Sequence, residues 1–341
     1  MKNSRFAKIL KTYLDITINA GMGFADDKAP KLSAALAYST IFSLPPMLLL
    51  IIIVGGTFYG EQAITGQLFG QLKDFMGEEA ALQIQDVMSK INFQKNSTIA
   101  TVIGIVALMM GATGIFVEIQ DSLNLIWGVR AKPKKGIIKI LLSRLLSFSM
   151  IIAVGFLLLV TLILNALIIT VSTYVREDIL NEFILKVSEV TGRSIPQIPV
   201  GVIGIVNSCF TFIVLVVLFM AIFKMLPDVK IRWKQVLPGA IVTTLLFFLG
   251  KYLIGLYIGS NTMASLYGAA GSVIVLLLWI YFSAFILYFG AEFTKAHTEY
   301  FGGKIKPNSF AEWSDKVLLK EYLAKEASKQ QVTDEEPKAQ D

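Results

Sequence analysis

The chain alternates between long apolar runs and shorter polar segments, and the apolar runs have the length of membrane-spanning helices. A helix needs about 20 mainly apolar residues to cross a bilayer, and six runs in this sequence reach that length. We predict spans at residues 32–56, 98–117, 144–171, 200–223, 236–258 and 268–291. The predicted fold class is therefore all-α, a polytopic membrane protein with six transmembrane helices and both termini in the cytoplasm.

Polar and amphipathic segments divide the chain into three parts. Residues 1–31 form a cytoplasmic N-terminal segment, in which residues 5–20 repeat apolar side chains at helical spacing with lysines on another face. That pattern fits a helix lying in the inner membrane interface, or alternatively a soluble helix packed on the domain. Residues 32–296 form the six-span membrane domain, and residues 297–341 form a cytoplasmic tail whose end we expect to be disordered.

Lysine and arginine are unequally distributed over the two sides that this topology defines. The inner segments carry six in residues 1–31, six in residues 130–144, four in residues 224–234 and eight from Lys295 to the end of the tail. The outer segments carry three, three and none. Because cytoplasmic loops of membrane proteins have this excess of basic residues, the distribution supports cytoplasmic termini.

Composition agrees with a membrane protein and narrows the functional classes. Of 341 residues, 55% are hydrophobic and 16% are charged, and soluble domains carry more charge than this. Most of the net charge of +6 comes from loop residues that set topology, so we expect membrane lipids as partners and no nucleic acid. The single Cys209 lies in an apolar run, which excludes a disulfide framework and a cysteine metal site.

The sequence lacks the residue patterns of hydrolytic enzymes. A metal-dependent nuclease needs clustered His, Asp and Glu side chains that hold ions and activate water, and this chain has one histidine, His297. It has no HExxH motif, no Gly-rich phosphate loop and no GxSxG nucleophile elbow. We therefore expect no enzymatic activity, no metal site and no cofactor.

Proline and glycine mark two places where the spans are predicted to break or to cross closely. Pro45 and Pro46 remove two backbone donors in the middle of the first span, so that helix kinks or breaks. Such a break is either structural or opens a cavity. Gly268 and Gly271 open the sixth span and permit a close crossing or a mobile pivot. Faces of small residues also permit a homo-oligomer without requiring one.

Polar side chains inside the apolar spans are the stronger functional signal, because burying them in a membrane is unfavourable unless they are paired or useful. Asn165, Asn207 and Lys251 each lie six or seven residues from the outer end of a span, which is about 10 Å deep. With Thr211 on the face of Asn207, they form a candidate polar layer along a substrate path. The alternatives are asparagines that hydrogen-bond between helices and a lysine that snorkels to the outer interface.

A second polar cluster lies at the inner ends of the second and sixth spans. Glu118, Asp121 and Asn124 continue the helix of the second span, and Glu292 ends a face of the sixth that also holds Tyr281, Phe285 and Tyr288. These four residues form a candidate inner gate, with plain salt bridging at the interface as the alternative. The basic residues expected nearby are Arg130, Lys224 and Lys295.

Four stretches spread along the core carry a distinctive combination of motifs. They are SAALAYSTIFSLPPMLLL from Ser33, EIQDSLNLIWGV from Glu118, KMLPDVKIRWKQVLPGA from Lys224 and SLYGAAGSVIVLLLWIYFSAFILYFGAEF from Ser265. The combination resembles the YihY/BrkB family of bacterial inner-membrane proteins, formerly labelled ribonuclease BN. The resemblance implies a six-span, multi-pass protein of the bacterial inner (plasma) membrane. Family members are described as transporters, as virulence or serum-resistance factors, and in connection with envelope lipid handling.

These features lead to two expectations for function. The first is a transporter or exporter of an amphiphilic or lipid-like substrate, motivated by the broken first span, the candidate polar layer and the envelope associations that the resemblance implies. The second is a non-transporting scaffold of an envelope complex. A solvated cavity that reaches the polar layer distinguishes them, because a transporter needs one and a scaffold does not.

Overall fold

The computed structural model of the chain describes residues 2–43, 98–132, 200–260 and 271–319, together with a few isolated positions. These residues are mostly helical. The helices are α1 (Lys2–Asp26), α2 (residues 29–43), α3 (Thr98–Ile126), α4 (Val200–Met225), α5 (Trp233–Ser260), α6 (Gly271–Tyr300) and α7 (residues 315–319). Almost all of the predicted third span, and the part of the first that holds both prolines, lie outside the described residues.

Three of the described helices are long and apolar enough to cross a membrane. The stretches that meet this criterion are Ser208–Met225 in α4, Trp233–Tyr257 in α5 and Val273–Tyr300 in α6. Large apolar side chains remain exposed along α5, as contact with lipid requires; they include Leu245, Leu249, Leu253 and Leu256. The protein is therefore a mostly helical chain with several apolar helices, and the count of six spans stays a prediction.

Two helices extend well beyond the predicted inner ends of their spans. The predicted spans end at residues 117 and 291, whereas α3 continues to Ile126, as expected for the helix that holds Asp121 and Asn124, and α6 continues to Tyr300. The added turns contact each other, because the Lys295 ammonium donates to the Ile126 carbonyl at 2.7 Å. Tertiary contacts of this kind satisfy the backbone carbonyl groups that a helix end leaves without partners.

Helices α1 and α6 pack against each other in antiparallel orientation. The Thr12 and Tyr300 hydroxyls lie 3.3 Å apart at one end of the contact. The Phe24 and Phe285 rings lie 4.5 Å apart at the other. The opposite face of α1 exposes large apolar side chains, namely Ile9, Leu10, Leu14, Ile18 and Met22. The helix thus packs on the domain and also presents an apolar face, and contact of that face with lipid stays a prediction.

Helices α5 and α6 cross at two reciprocal glycine–threonine contacts. A Cβ atom on Gly239 would lie 1.7 Å from Thr294 Oγ1, and one on Gly290 would lie 1.8 Å from Thr243 Oγ1. Each threonine hydroxyl donates to the glycine carbonyl one turn earlier in its own helix, at 2.6 Å for Thr243 and 2.7 Å for Thr294. Glycine is therefore required at both positions for this close approach, which is how membrane helices gain packing contacts.

The segment after α6 forms a strap, residues 303–319, across one end of the bundle. Two antiparallel pairs hold it in place: β1 (Val129–Ala131) with β4 (Ala311–Trp313), and β2 (Val229–Lys230) with β3 (Lys306–Pro307). The strap joins the loops that follow α3 and α4, so α3, α4 and α6 all end on the same side of the bundle. We call this side the strap end.

Candidate functional site

A cavity of about 630 Å³ opens at the strap end, between α1, α3, α6 and the strap. Its walls carry seven charged side chains: Asp26, Asp27, Lys28, Asp121, Arg130, Lys295 and Lys316. Apolar side chains complete the lining, namely Leu125, Val129 and Val317. The cavity therefore offers charges of both signs and apolar surface within one concave site, a combination typical of ligand pockets.

Asp27 occupies the turn between α1 and α2, and two lysines from distant parts of the chain approach its buried carboxylate. Lys316 of the strap donates to Asp27 Oδ1 at 2.6 Å, and Lys295 Nζ of α6 lies 3.6 Å from Oδ2. A carboxylate that is only 8% exposed needs such partners, because an unpaired buried charge is strongly unfavourable. The hydrogen bond to Asp27 raises the pKa of Lys316 and keeps its ammonium charged.

Lys295 connects three elements at the cavity wall. Besides Asp27 and the carbonyl of Ile126, its ammonium lies 3.9 Å from Glu292 Oε2. A cation beside the last carbonyl groups of a helix interacts favourably with the helix dipole. Lys295 therefore fixes the end of α3, the turn after α1 and its own helix relative to one another.

Glu292 lies behind this wall in the interface of α6 with α1. Its side chain is only 3% exposed, and a Cβ atom on Gly23 of α1 would lie 2.6 Å from Oε2. The space for this carboxyl group exists because residue 23 is a glycine. Among the described residues, Oε1 is buried without a hydrogen-bond partner.

Arg130 at the cavity rim pairs with the strap and not with the predicted gate. Its Nε atom donates to Glu312 Oε1 at 3.0 Å, and its Nη1 atom donates to Asp315. These two hydrogen bonds raise the pKa of the guanidinium group. Lys224, the other basic residue expected near the gate, donates to the Ile231 carbonyl. Of the three expected basic neighbours, Lys295 is the one that the structure places near Glu292.

A buried hydrogen-bonded node ties α3 to the loop after α4 and to the strap. Asn124 Nδ2 donates to Asp228 Oδ2 at 2.9 Å, and the Asp228 amide donates back to Asn124 Oδ1 at 2.7 Å. The Asn308 amide of the strap donates to the Asp228 carbonyl at 2.8 Å. Gln120 Nε2 lies 3.5 Å from Asp228 Oδ1. Asn124 is thus a structural link as well as a cavity residue.

The predicted gate residues separate into two positions. Asp121 and Asn124 line the cavity, whereas Glu118 lies deeper in the bundle, half-buried and near Tyr288. Glu292 lies behind the cavity wall, 3.9 Å from the Lys295 ammonium that also approaches Asp27. The role of a gate stays a prediction for all four.

Half of the residues of the predicted polar layer and helix breaks lie on described helices, and no contact among them is described. Thr211 in α4 and Lys251 in α5 are half-buried, and Asn207 lies on α4. Gly271 is the first residue of α6. Asn165, Pro45, Pro46 and Gly268 lie outside the described residues. The polar layer and the pivot therefore stay predictions.

The sequence analysis did not identify Asp27 and Lys316 as residues of the cavity. It also did not identify the glycine–threonine crossing of α5 and α6. A signal for the crossing exists, since Gly239 and Thr243, like Gly290 and Thr294, are small residues spaced four apart. No local signal marks Lys316, which looks like any solvated lysine of a polar tail.

Comparison with known proteins places the chain in a family. A family model described as virulence factor BrkB matches residues 21–312. A UPF0761 membrane protein of Pseudomonas aeruginosa is 28% identical over 273 residues, which cover 79% of this chain and 59% of that protein. One from Azotobacter vinelandii is 28% identical over 271 residues, covering 79% of this chain and 60% of the relative. One from Stenotrophomonas maltophilia is 24% identical over 276 residues, covering 80% and 58%.

The chain spans about 59% of the length of the first of these relatives. No solved structure matches it. The family model covers the described helices from the end of α1 to the strap, including Asp27, Glu292 and Lys295. Because that match extends over most of the chain, the protein belongs to the BrkB family of membrane proteins, which includes the UPF0761 proteins and which the sequence motifs indicated.

Proposed function

We propose that this protein is a transporter of an amphiphilic, lipid-like substrate, with six spans in the bacterial inner membrane and its strap end in the cytoplasm. The observation that carries the proposal is the strap-end cavity, which combines charged walls with apolar ones. The polar headgroup of the substrate occupies this cavity during transport. Other residues of the predicted path, Asn207 and Lys251 among them, then lie farther along the route.

The chemistry of the cavity walls favours an amphiphile over a small polar solute. A headgroup that carries phosphate or ammonium finds counter-charges in Lys316 and Asp121, while Leu125 and Val317 offer apolar contact to the first carbons of a chain. Buried apolar area contributes about 25 cal/mol per Å². A pocket with both kinds of wall therefore binds a molecule with both kinds of group more tightly than a purely polar one.

The position of the cavity beside α1 supports access from the membrane. Gly23 of α1 lies in the cavity wall, and the same helix exposes Leu14, Ile18 and Met22. An amphipathic helix that presents apolar side chains fits the boundary between headgroups and acyl chains. A lipid chain that lies along α1 can thus keep its tail in apolar surroundings while its headgroup enters the cavity.

The cytoplasmic placement of the strap end follows from charge. The strap pairs with the loops after α3 and α4, so these segments share one side of the bundle. They belong to the regions that hold most of the lysine and arginine, and basic loops of membrane proteins stay in the cytoplasm. The cavity therefore faces the inner leaflet in this proposal.

A lipid-movement assay with two matched leucine variants tests the proposal. The full-length protein is reconstituted into vesicles that contain fluorescent phosphatidylethanolamine or phosphatidylglycerol, and the rate of quenching by an impermeant reductant reports movement between leaflets. Leu125→Trp fills the cavity, whereas Leu245→Trp adds the same bulk to an exposed position on α5. We expect Leu125→Trp to slow lipid movement about tenfold, which corresponds to about 1.4 kcal/mol, and Leu245→Trp to leave it unchanged.

The proposal fails if wild-type protein moves neither lipid faster than protein-free vesicles do. It also fails in its site assignment if both leucine variants move lipid equally well. A second candidate function, a non-transporting scaffold, is favoured by the rigid links at the strap end, including the Asp228 node and the two strand pairs. The scaffold predicts no lipid movement in any variant.

A further inference from the structure

We propose that the carboxyl groups of Asp27 and Glu292 together form a proton-binding site, and that this site couples proton movement to the transport proposed above. The role of this site in transport rests on the proposed function. The existence of the site rests on the geometry of the carboxyl pair alone.

The two carboxyl groups approach the same cation, since the Lys295 ammonium lies 3.6 Å from Asp27 Oδ2 and 3.9 Å from Glu292 Oε2. Their side chains are 8% and 3% exposed, so water reaches neither freely. Glu292 Oε1 is buried and accepts no hydrogen bond from any described residue. The Asp27 carboxylate beside the same ammonium is another acceptor, and two ionised carboxylates around one cation repel each other. A single proton supplies the missing donor, since protonated Glu292 can donate to the Asp27 carboxylate.

The surrounding cations do not remove the need for that proton. Lys316 of the strap hydrogen-bonds to Asp27, and Lys295 donates to the Ile126 carbonyl of α3. Lys295 approaches Glu292 only to 3.9 Å, beyond hydrogen-bond distance. Glu299, two turns along α6, adds further negative potential at Glu292. Asp27 is therefore well paired and Glu292 is not, which identifies Glu292 as the group that takes the proton.

A short route connects this pair to water. Asp27 and Lys295 both line the strap-end cavity, and the buried Glu292 lies 3.9 Å from the Lys295 ammonium. A proton enters from water in the cavity, passes Asp27 and binds Glu292, and it is released after the loaded site has opened to the other side of the membrane, so no other reactant is needed. Glycine at position 23 allows the Glu292 carboxyl group to occupy its place against α1.

The same lysines connect proton binding to substrate binding. A phosphate-bearing headgroup in the cavity attracts Lys316, whose half-exposed side chain then exchanges its bond to Asp27 for one to the phosphate. Asp27 then loses a counter-charge, and the carboxyl pair holds its proton more tightly. Because linkage is reciprocal, a bound proton strengthens headgroup binding by the same factor. Proton and anionic headgroup are therefore carried together in the same direction.

Infrared difference spectroscopy of the full-length protein in lipid nanodiscs tests the site directly. The carbonyl stretch of a protonated carboxylic acid is followed while pH is raised. We expect a titrating band in the wild type that is absent in Glu292→Gln and retained in Glu299→Gln, the matched control on the same helix. Asp27→Asn removes the partner carboxylate and should shift the band. The proposal is overturned if the wild type has no such band, or if the band persists in Glu292→Gln.

A second measurement keeps the test decisive if Glu292→Gln does not fold. Dicyclohexylcarbodiimide modifies protonated buried carboxyl groups, and mass spectrometry of wild-type protein identifies the modified residue. We expect modification of Glu292 that falls about tenfold per pH unit once the pair has lost its proton. Modification that spares Glu292 at every pH overturns the proposal.

Neither readout requires transport, so the two proposals can fail separately. A protonated Glu292 in a protein that moves no lipid leaves the proton site standing and removes the transporter. Lipid movement by a protein whose Glu292 is never protonated supports the transporter and removes the proton site.

Discussion

The glycine–threonine crossing of α5 and α6 makes Gly239→Ala a sharp test of the packing. The new Cβ atom would lie 1.7 Å from Thr294 Oγ1, 2.8 Å from Thr294 Cβ and 3.1 Å from Thr294 Cα, whereas ordinary van der Waals contacts begin at 3.4 Å. Rotation of the threonine hydroxyl does not relieve the contacts with Cβ and the backbone. The two helices must therefore separate, and each neighbouring contact along the crossing weakens.

The expected cost follows from two opposing terms. Overpacking of a well-packed site costs about 1–3 kcal/mol, and loss of the tight crossing places this variant at the upper end. Replacing glycine by alanine within a helix stabilises that helix by about 1 kcal/mol, which offsets part of this cost. We expect Gly239→Ala to lower the free energy of unfolding by about 2 kcal/mol, or roughly 30-fold in the unfolding equilibrium. The variant Gly239→Ala/Thr294→Gly removes the side chain that the new methyl group meets and should recover much of this loss.

Gly255→Ala is the matched control, because it lies on the same helix and a Cβ atom there meets nothing within 4 Å. Unfolding of wild type and variants is followed by circular dichroism in mixed micelles as the fraction of sodium dodecyl sulfate is raised. We expect Gly255→Ala to be as stable as wild type or slightly more stable. If Gly239→Ala and Gly255→Ala unfold at the same detergent fraction, the close crossing described here is wrong.

Three further predictions concern the strap end. Asn124→Leu removes both hydrogen bonds to Asp228 and should cost about 1–3 kcal/mol in the same unfolding assay. Arg130→Lys retains the charge but loses the forked contact with Glu312 and Asp315; faster amide hydrogen exchange in the strap is expected, and unchanged exchange would contradict that contact. Asp27 raises the pKa of Lys316. Their interaction therefore stabilises the fold fully at pH values below the ordinary lysine pKa, and this stabilisation is lost as the pH rises through the raised pKa of Lys316. Lys316→Met should abolish this alkaline loss of strap protection, whereas Lys306→Met, at an exposed strap position, should retain it.

The sequence by itself determined the class of protein and the approximate place of its helices. Hydropathy is a local property, so the runs at residues 200–223 and 236–258 predicted α4 and α5 to within three residues at each end. The motifs from Ser33 to the end of the sixth run also identified the family, because they depend on residue order and not on contacts. Glu292 and Lys295 were recognised as neighbours, since three residues on one helix place them together.

Only the tertiary structure decided what these side chains meet. Asp27 and Lys316 are 289 residues apart in the chain, and nothing in either local sequence predicts their hydrogen bond. Strands of two or three residues, such as β2 and β4, are too short to show an alternating pattern, so the strap looked like an ordinary polar tail. From the sequence, Glu292 was one of several carboxylates expected at the membrane interface. Its burial against Gly23, beside a second carboxyl group, arises because helix packing brings distant residues together and excludes water from between them.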